Sequence, residues 1–375
     1  MTPQDSSSLN TRIERVEVFR VSVPLLEPQV VFGAAVMTSR EFVIARAYAA
    51  GQCGTGFGFT RGAAADRIAE QQIVPFVVDQ PLGSIRQIWN QVRQSVNFVG
   101  EIGHFARALS AVDIALWDLL AKTLNVPLWR LIGGVSAQVP CIAIAGYYRP
   151  GDSLTPLKQE AERLMTAGYN RLKIPFGHGL ALDRKRLTVL REVVGPDVII
   201  GVDGHGSFNS VKQALEAWNN IEPFNIDYFE DPFPPSFWEL AIMLAQSSSV
   251  RVAYGENIAL PSMLQRLGSP GGIDIVRPDA TYALGISGYM QAVAPALENR
   301  VTVFPHYFPD VHASLVGGLG GAWVEESPAE ADTVNFQALR AEQPKIRDGV
   351  WYLSDKPGLG IEWDEDALKK FRVDK

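Results

Sequence analysis

The sequence predicts an α/β fold: a (β/α)8-type barrel behind an α+β N-terminal capping domain that the C-terminal tail completes. Three observations predict it. From Val139 onward, short β-rich runs alternate with amphipathic stretches, the pattern of strands and crossover helices in a parallel sheet. Three carboxylates, Asp203, Glu230 and Glu256, follow runs of β-branched or aromatic residues (VIIGVD, NIDYFE, VRVAYGE) at intervals of 27 and 26 residues. That interval is one strand, one helix and two loops, so the acids fall on one rim of one barrel mouth, where barrel active sites are built. The front third has a different texture, with longer strands and a strongly helical stretch.

In chain order, residues 11–23 (TRIERVEVFRVSV) read as a strand and 42–49 (FVIARAYA) as its partner. A long loop is expected between them, over 24–40. Helix-compatible segments follow at 64–95, then a helix over 105–124. These make a capping domain over 1–135. The barrel occupies 136–330, with strands expected near 139–145, 171–174, 198–202, 226–229, 251–254, 273–276, 301–304 and 322–325. The Pro- and Gly-punctuated segment 331–375 is expected to pack back on the cap. GGLGG at 317–321 lacks an acidic ribose partner and the context of a dinucleotide fingerprint, so it reads as close packing near the last helix.

Composition narrows the function. The 375 residues are 47% hydrophobic and 20% charged, an ordinary globular balance. Net charge −7, with no Lys/Arg run, argues against nucleic acid as a partner. No apolar stretch reaches the ~18 residues that would cross a bilayer, so no membrane partner is expected. Two cysteines, Cys53 and Cys141, build no disulfide framework. Together with a polar N-terminus lacking a signal-peptide core, they make cytoplasmic the expected location.

Three acids converging at a barrel mouth repel one another unless a cation joins them. All-oxygen ligation favours Mg²⁺ or Mn²⁺ over zinc. The alternative for a strand-end acid is helix capping or surface solvation, the work expected of Asp231 beside Glu230.

At these residues the chain resembles the enolase superfamily, and within it the mandelate racemase/muconate lactonising enzyme-like proteins with their modified TIM barrel. The likeness runs from about 12 to 365. It is carried by ALSAVDIALWDLLAKTLNVPLWRLIGG (108–134), GYNRLK (168–173), VDGH (202–205), FEDP (229–232), YGEN (254–257), VRPDATYALGIS (276–287), FPHY (304–307) and PGLGIE (357–362). The resemblance implies one Mg²⁺ on Asp203, Glu230 and Glu256, with a small-molecule carboxylate substrate bound to it. A proton α to a carboxylate is very weakly acidic, and a cation on those oxygens stabilises the charge left by its removal.

The resemblance also implies a His306–Asp279 dyad. Asp279 fixes the imidazole and His306 removes the α-proton. Many relatives carry Lys-x-Lys at the second strand, where the later lysine is a base on the opposite face. This chain reads Lys173-Ile174-Pro175, and proline accepts no proton. Lys173 matches the first lysine, implied to hold the substrate carboxylate. Losing one base disfavours racemisation. An acid at position 279 where a lysine would be needed disfavours cycloisomerisation of the muconate type.

His205, two residues after Asp203, resembles the galactonate dehydratase branch, in which a histidine there is the general acid for a departing 3-hydroxyl. Its alternative is a hydrogen bond to the neighbouring metal ligand. Glu325, with Glu326 as the adjacent alternative, is implied to sit near the substrate carboxylate and to donate a hydrogen bond if protonated. His312 reads as structural, His178 as a rim residue, and His104 has no assignment.

Lid loops are expected near 25–40 and 53–62. Their apolar content (QVVFGAAVMTS) is unusual for a sugar-acid enzyme, and Tyr147, Tyr148, Arg149, Asn257 and Tyr282 are candidate partners for substrate hydroxyls. The expectation is a metal-dependent hydro-lyase acting on an aldonate, aldarate or related 2,3-dihydroxy acid. A racemase or epimerase using Lys173 as second base is the alternative on this scaffold, and a non-catalytic carboxylate-binding relative is the alternative outside catalysis. The resemblance favours a homo-oligomer.

Overall fold

The computed structural model describes residues 9–30, 36–98, 100–134, 136–148, 154–328 and 334–373. Its front sheet is antiparallel: β1 (Arg15–Val30) pairs with β2 (Val36–Ala49), which pairs with β3 (Gln52–Phe59). The C-terminal Arg372–Val373 adds to the free edge of β1. Alternation along β2 divides two cores. Val43, Ala45 and Ala47 face the helices α1 (Ile85–Ser95) and α2 (His104–Thr123), whereas Phe42 and Ile44 face the barrel side with Phe57 and Phe336.

Two expected loops are largely strand. β1 continues to Val30 and β2 begins at Val36, with a register shift between Pro24 and Gln29. Of the loop expected over 24–40, residues 31–35 lie outside the described residues. The second expected lid, 53–62, holds most of β3. Gly54, Gly56 and Gly58 alternate there with Thr55, Phe57 and Phe59, and this alternation gives the strand one face without side chains. At Gly54 and Gly56 that face meets α2 backbone to backbone, and at Gly58 it meets Thr281. A Cβ on Gly56 would stand 2.0 Å from the Ala111 carbonyl oxygen, and one on Gly54 would stand 2.2 Å from that of Ala115. Glycine here serves close approach, not a turn. Gly56→Ala is expected to cost at least about 2 kcal/mol, because backbone and not a movable side chain blocks the methyl group; urea unfolding would read it, and an unchanged midpoint would refute the contact.

The barrel strands are β4 (Gln138–Ile144), β5 (Arg171–Pro175), β6 (Ile199–Asp203), β7 (Tyr228–Glu230), β8 (Val252–Tyr254), β9 (Ile275–Val276), β10 (Thr302–Val303) and β11 (Val324–Glu326). Each pair from β4 to β10 is parallel, and β11 pairs parallel with β4. Ala322 N–H donates to the Val303 carbonyl at 2.8 Å and joins the last two strands. Helices α3 (Leu154–Thr166), α4 (Leu180–Val194), α5 (Val211–Asn219), α6 (Trp238–Ser247), α7 (Pro261–Leu267), α8 (Gly285–Glu298) and α9 (Pro309–Leu319) occupy the seven gaps. Below the mouth, the buried Tyr228 ring fills the barrel over Gly201, where a Cβ would lie 2.0 Å from the ring.

The ALSAVDIALWD segment is the joint between cap and barrel. From α2, Ser110 Oγ accepts Gly285 N–H and Asp113 Oδ2 accepts Ser287 N–H, both at 2.9 Å, so two α2 side chains bond the buried amides at the start of α8. Asp118 accepts Thr55 N–H at 2.8 Å with one oxygen and Leu359 N–H at 2.7 Å with the other, tying cap sheet, helix and tail together. In the tail, β12 (Lys345–Arg347) and β13 (Val350–Tyr352) form a hairpin whose β13 pairs antiparallel with β4. The tail thus joins both the barrel and the cap. The glycines of 317–321 end α9, where a Cβ on Gly318 would stand 2.3 Å from the Ile132 side chain. No helix among the described residues is long and apolar enough to cross a membrane.

Candidate active site

Parallel register decides which side chains meet. Pro175 stands opposite Asp203, and Asp203 opposite Glu230, so acids at the ends of adjacent strands arrive at one height. Glu256 follows β8 by two residues. Ligand oxygens of Asp203, Glu230 and Glu256 lie within 4.8 Å of one another, and all three residues are buried. Glu230 Oε2 and Glu256 Oε2 are buried without a hydrogen-bond partner. Carboxylate oxygens that accept no hydrogen bond in a dry site are costly, and a hard, oxygen-preferring divalent cation satisfies them. The donor set fits such an ion.

Lys173 is nearly fully buried, with Nζ 2.6 Å from Glu230, 2.5 Å from Glu325 and 3.3 Å from Asp203. Burial opposes its charge, but Glu230 and Glu325 outweigh burial and hold the ammonium well above its ordinary range. A lysine so held is a positive anchor and a poor base. Arg277, which sequence reasoning passed over, lies beneath. Its Nη2 stands 2.9 Å from Glu230, 2.8 Å from Glu325 and 3.6 Å from Glu256, with no exposure. The signal available was an arginine directly following a buried apolar strand end, in IVRPD.

Strand alternation separates the two C-terminal glutamates. Glu325 faces Lys173 and Arg277, while Glu326 turns to the Tyr169 hydroxyl at 2.6 Å. Glu325 was expected near the substrate carboxylate, donating a hydrogen bond if protonated; its contacts within the protein make it an acceptor, including from Tyr307 N–H at 2.8 Å. Burial raises its carboxyl, but Arg277 and Lys173 outweigh burial and hold it well below the ordinary carboxylate range. It is a buried counter-ion. Asp231 is likewise no surface cap: it is buried, with one oxygen unpartnered.

The His306 Nδ1 lies 3.0 Å from Asp279 Oδ2. Asp279 Oδ1 accepts Thr281 N–H and Oγ–H, both at 2.8 Å, which orients the carboxylate toward the ring. Burial opposes the Asp279 anion, but the hydrogen bond and charge of His306 hold it low. With Nδ1 donating to Asp279, Nε2 faces the ligand Glu256 at 3.4 Å. Tyr307 and Phe308 follow with φ of 49° and 37°, strained positions of the kind concentrated at functional sites.

His205 adopts φ 46°. Its backbone N–H donates to Asp203 Oδ1 at 3.0 Å, and its ring Nε2 lies 3.2 Å from Asp203 Oδ2. The ring therefore touches a ligand, as its alternative assignment required, and also lines the cavity. Burial opposes the Asp203 anion, yet His205 and Lys173 overcome it and hold the carboxyl low.

The remaining candidates separate clearly. Tyr147 lines the cavity with Lys173, Asp203, His205, Glu256 and His306. Tyr148 hydrogen-bonds Asp183, and the ring of exposed His178 lies tilted against it with centroids 4.1 Å apart. Asn257 donates to Glu256 at 3.0 Å, and the Tyr282 hydroxyl accepts Gly103 N–H at 3.3 Å. Arg149 lies outside the described residues. His104 opens α2. His312 is fully buried, accepting Ala280 N–H at 2.9 Å and facing the Tyr307 carbonyl at 2.5 Å, which pins the backbone flanking the dyad.

Fold and site together define a barrel with a cation-binding carboxylate triad and an Asp–His dyad at its mouth. Residues 156–367 match the family Enolase C-terminal domain-like, and residues 14–133 match Mandelate racemase / muconate lactonizing enzyme, N-terminal domain. The chain belongs to this enolase-like mandelate racemase/muconate lactonizing enzyme family. It is 27% identical over 308 residues to arabinonate dehydratase of Saccharolobus solfataricus, covering 81% of this chain and 82% of that one. It is 27% identical over 368 residues to 3,6-anhydro-alpha-L-galactonate cycloisomerase of Streptomyces coelicolor, covering 96% and 99%. Among solved structures it is similar to L-talarate dehydratase from Polaromonas sp. JS666 complexed with Mg and L-glucarate, with TM-score 0.86, 25% identity and coverage of 97% and 98%.

Proposed function

We propose that the protein is a Mg²⁺-dependent acid-sugar dehydratase that converts a 2,3-dihydroxy acid into a 2-keto-3-deoxy acid. The observation that carries this reading is one cavity lined by His306, His205 and Lys173 above the carboxylate triad, with Pro175 where a second base would stand. The residues that would hold the cation are Asp203, Glu230 and Glu256; when bound, it supplies Lewis-acid stabilisation of the charge that develops on the substrate carboxylate. Lys173 contributes a fixed positive charge beside that carboxylate. His306 Nε2 takes the C2 proton, and Asp279 holds the imidazolium that results. His205 gives a proton to the 3-hydroxyl as the C3–O bond breaks, so the group departs as water. The enol product then tautomerises to the ketone. One water is lost in all, and one face of C2 is served.

The racemase reading needs a base on the other face, and the ammonium of Lys173 among three carboxylates is a poor one. The L-talarate dehydratase and arabinonate dehydratase relatives favour elimination. The reading carries with it a cytoplasmic, homo-oligomeric protein.

The test is a panel of aldonic and aldaric acids, followed by 2-keto acid formation. We expect turnover on a subset of the panel, loss with EDTA and recovery with Mg²⁺. Isotope exchange at C2 across the panel without any keto acid would overturn dehydration in favour of epimerisation.

A further inference from the structure

We infer that His312 is a positioning residue for the base: a neutral imidazole carrying its proton on Nδ1, which bridges the two strand-end turns that hold Asp279 and His306 and fixes the angle at which the dyad meets the substrate. The inference rests on the dehydratase reading for the choice of His306 as the base. The dyad is split between two turns. Asp279 follows β9 and His306 follows β10, and these strands pair over two residues each. The main-chain ladder continues to Pro278, whose carbonyl accepts His306 N–H at 3.2 Å. One step further along each turn, His312 takes over from α9. Its Nε2 accepts the N–H of Ala280, the residue after Asp279, at 2.9 Å. Its Nδ1 lies 2.5 Å from the carbonyl oxygen of Tyr307, the residue after His306. A single rigid ring thus joins the backbone just beyond each half of the dyad.

These partners fix the state of the ring. A main-chain N–H requires Nε2 to be an acceptor, and a carbonyl oxygen requires Nδ1 to carry the hydrogen. The ring is then neutral with both nitrogens satisfied, in keeping with its complete burial. Burial opposes the imidazolium and outweighs the neighbouring Asp279 anion, which holds the group below its ordinary range. His306, which opposes a charge on the ring, and Glu325, which favours one, also lie within electrostatic reach. The Tyr289 ring packs with its centroid 6.0 Å away. The competing state is an imidazolium shared by Asp279, whose Oδ1 lies 3.6 Å from Nε2. That oxygen already accepts the N–H and Oγ–H of Thr281. Protonating Nε2 would also leave the buried Ala280 N–H without its acceptor, which is costly.

The bridge bears on function because the turn it holds is strained. Tyr307 and Phe308 adopt φ of 49° and 37°, left-handed values that bulky residues adopt only at a cost. Tyr307 is held at both ends, with its N–H on Glu325 Oε2 at 2.8 Å and its carbonyl on His312. Freed at the carbonyl end, the turn relaxes toward ordinary φ and carries the adjoining His306 with it. A displacement of about 1 Å at a reacting group costs roughly a hundredfold in rate. His312 does not line the cavity, so it acts on the substrate only through the dyad.

The test uses the Mg²⁺-loaded full chain and three uncharged replacements. His312→Leu removes both bonds, His312→Gln keeps an acceptor near the place of Nε2, and His312→Asn keeps a donor near that of Nδ1. We expect His312→Leu to lower kcat for dehydration, and the rate of C2 deuterium exchange with it, about a hundredfold. KM and Mg²⁺ affinity should stay within a few-fold of the parent, and the two amide variants should recover part of the loss. A fall in Mg²⁺ affinity parallel to the fall in exchange would mark a merely structural role and overturn the inference. Folded variants that exchange at the parent rate would overturn it as well. A second readout needs no turnover: nitrogen NMR of the parent chain labelled with ¹⁵N-histidine. Of the five histidines, His312 alone is buried, which identifies its resonances by their protection from solvent. We expect a hydrogen on Nδ1 and none on Nε2 at pH 7. An imidazolium, or a hydrogen on Nε2, overturns the inference whatever the kinetics show. If no acid on the panel is turned over, the dehydratase reading fails and this spectrum alone decides whether the bridge exists.

Discussion

Replacing His306 with asparagine is expected to abolish dehydration and solvent-deuterium exchange at C2 together, each by a thousandfold or more on the order of general-base contributions. The two losses coincide because exchange reports only the proton-transfer step, and the proposed site has one group able to perform it. Lys173 stands among Asp203, Glu230 and Glu325, and Pro175 occupies the position from which a second base would act. His306 Nδ1 is committed to Asp279 at 3.0 Å, which leaves Nε2 for the substrate. Asparagine keeps a polar group beside Asp279, and the backbone N–H of residue 306 still donates to the Pro278 carbonyl at 3.2 Å, so the variant should remain folded. Proton NMR in deuterium oxide, with the turned-over acid of the panel, measures the exchange. Exchange retained at an appreciable rate would remove His306 from the role of base and reopen epimerisation.

Much of the barrel was legible because its strands are short, buried and followed by chemistry. VIIGVD and NIDYFE end in acids that would be unstable in a barrel interior without a purpose, and the register of β6 and β7 sets those acids side by side. The cap was harder to read, since CGTGFGF offers glycine where a strand normally offers side chains. Only the packed helix α2 explains why those glycines belong in β3 and not in a loop. Arg277 was illegible for a related reason: a guanidinium with no exposure is tolerable only where Glu230, Glu256 and Glu325 converge, and that convergence is a property of the closed barrel. The choice between Glu325 and Glu326 turns on which residue of β11 points inward, a one-residue parity that hydrophobic patterning in GAWVEE leaves open.

Replacing His205 with asparagine is expected to separate the two steps that the His306 variant removes together. Dehydration should fall by about a hundredfold or more, since a hydroxide-like leaving group then departs without a proton donor, while C2 exchange should persist within a few-fold of the parent rate. The choice of asparagine follows from the backbone. Residue 205 sits at φ 46°, a left-handed conformation that asparagine adopts more readily than most residues. The backbone N–H that donates to Asp203 Oδ1 at 3.0 Å is retained, and an asparagine amide can still face the carboxylate that the ring meets at 3.2 Å. Metal affinity, measured by Mg²⁺ titration of the apo-protein, should therefore change less than dehydration does. The pattern discriminates between two roles that share one geometry. If His205 only steadies Asp203, its loss weakens metal binding and depresses exchange and dehydration in parallel. If it is the acid, exchange continues without elimination, because proton removal at C2 is served by His306 from its own strand end and only the C3–O bond waits for a proton. Normal dehydration in the variant would exclude His205 as the acid and require the leaving group to take its proton from another group at the mouth.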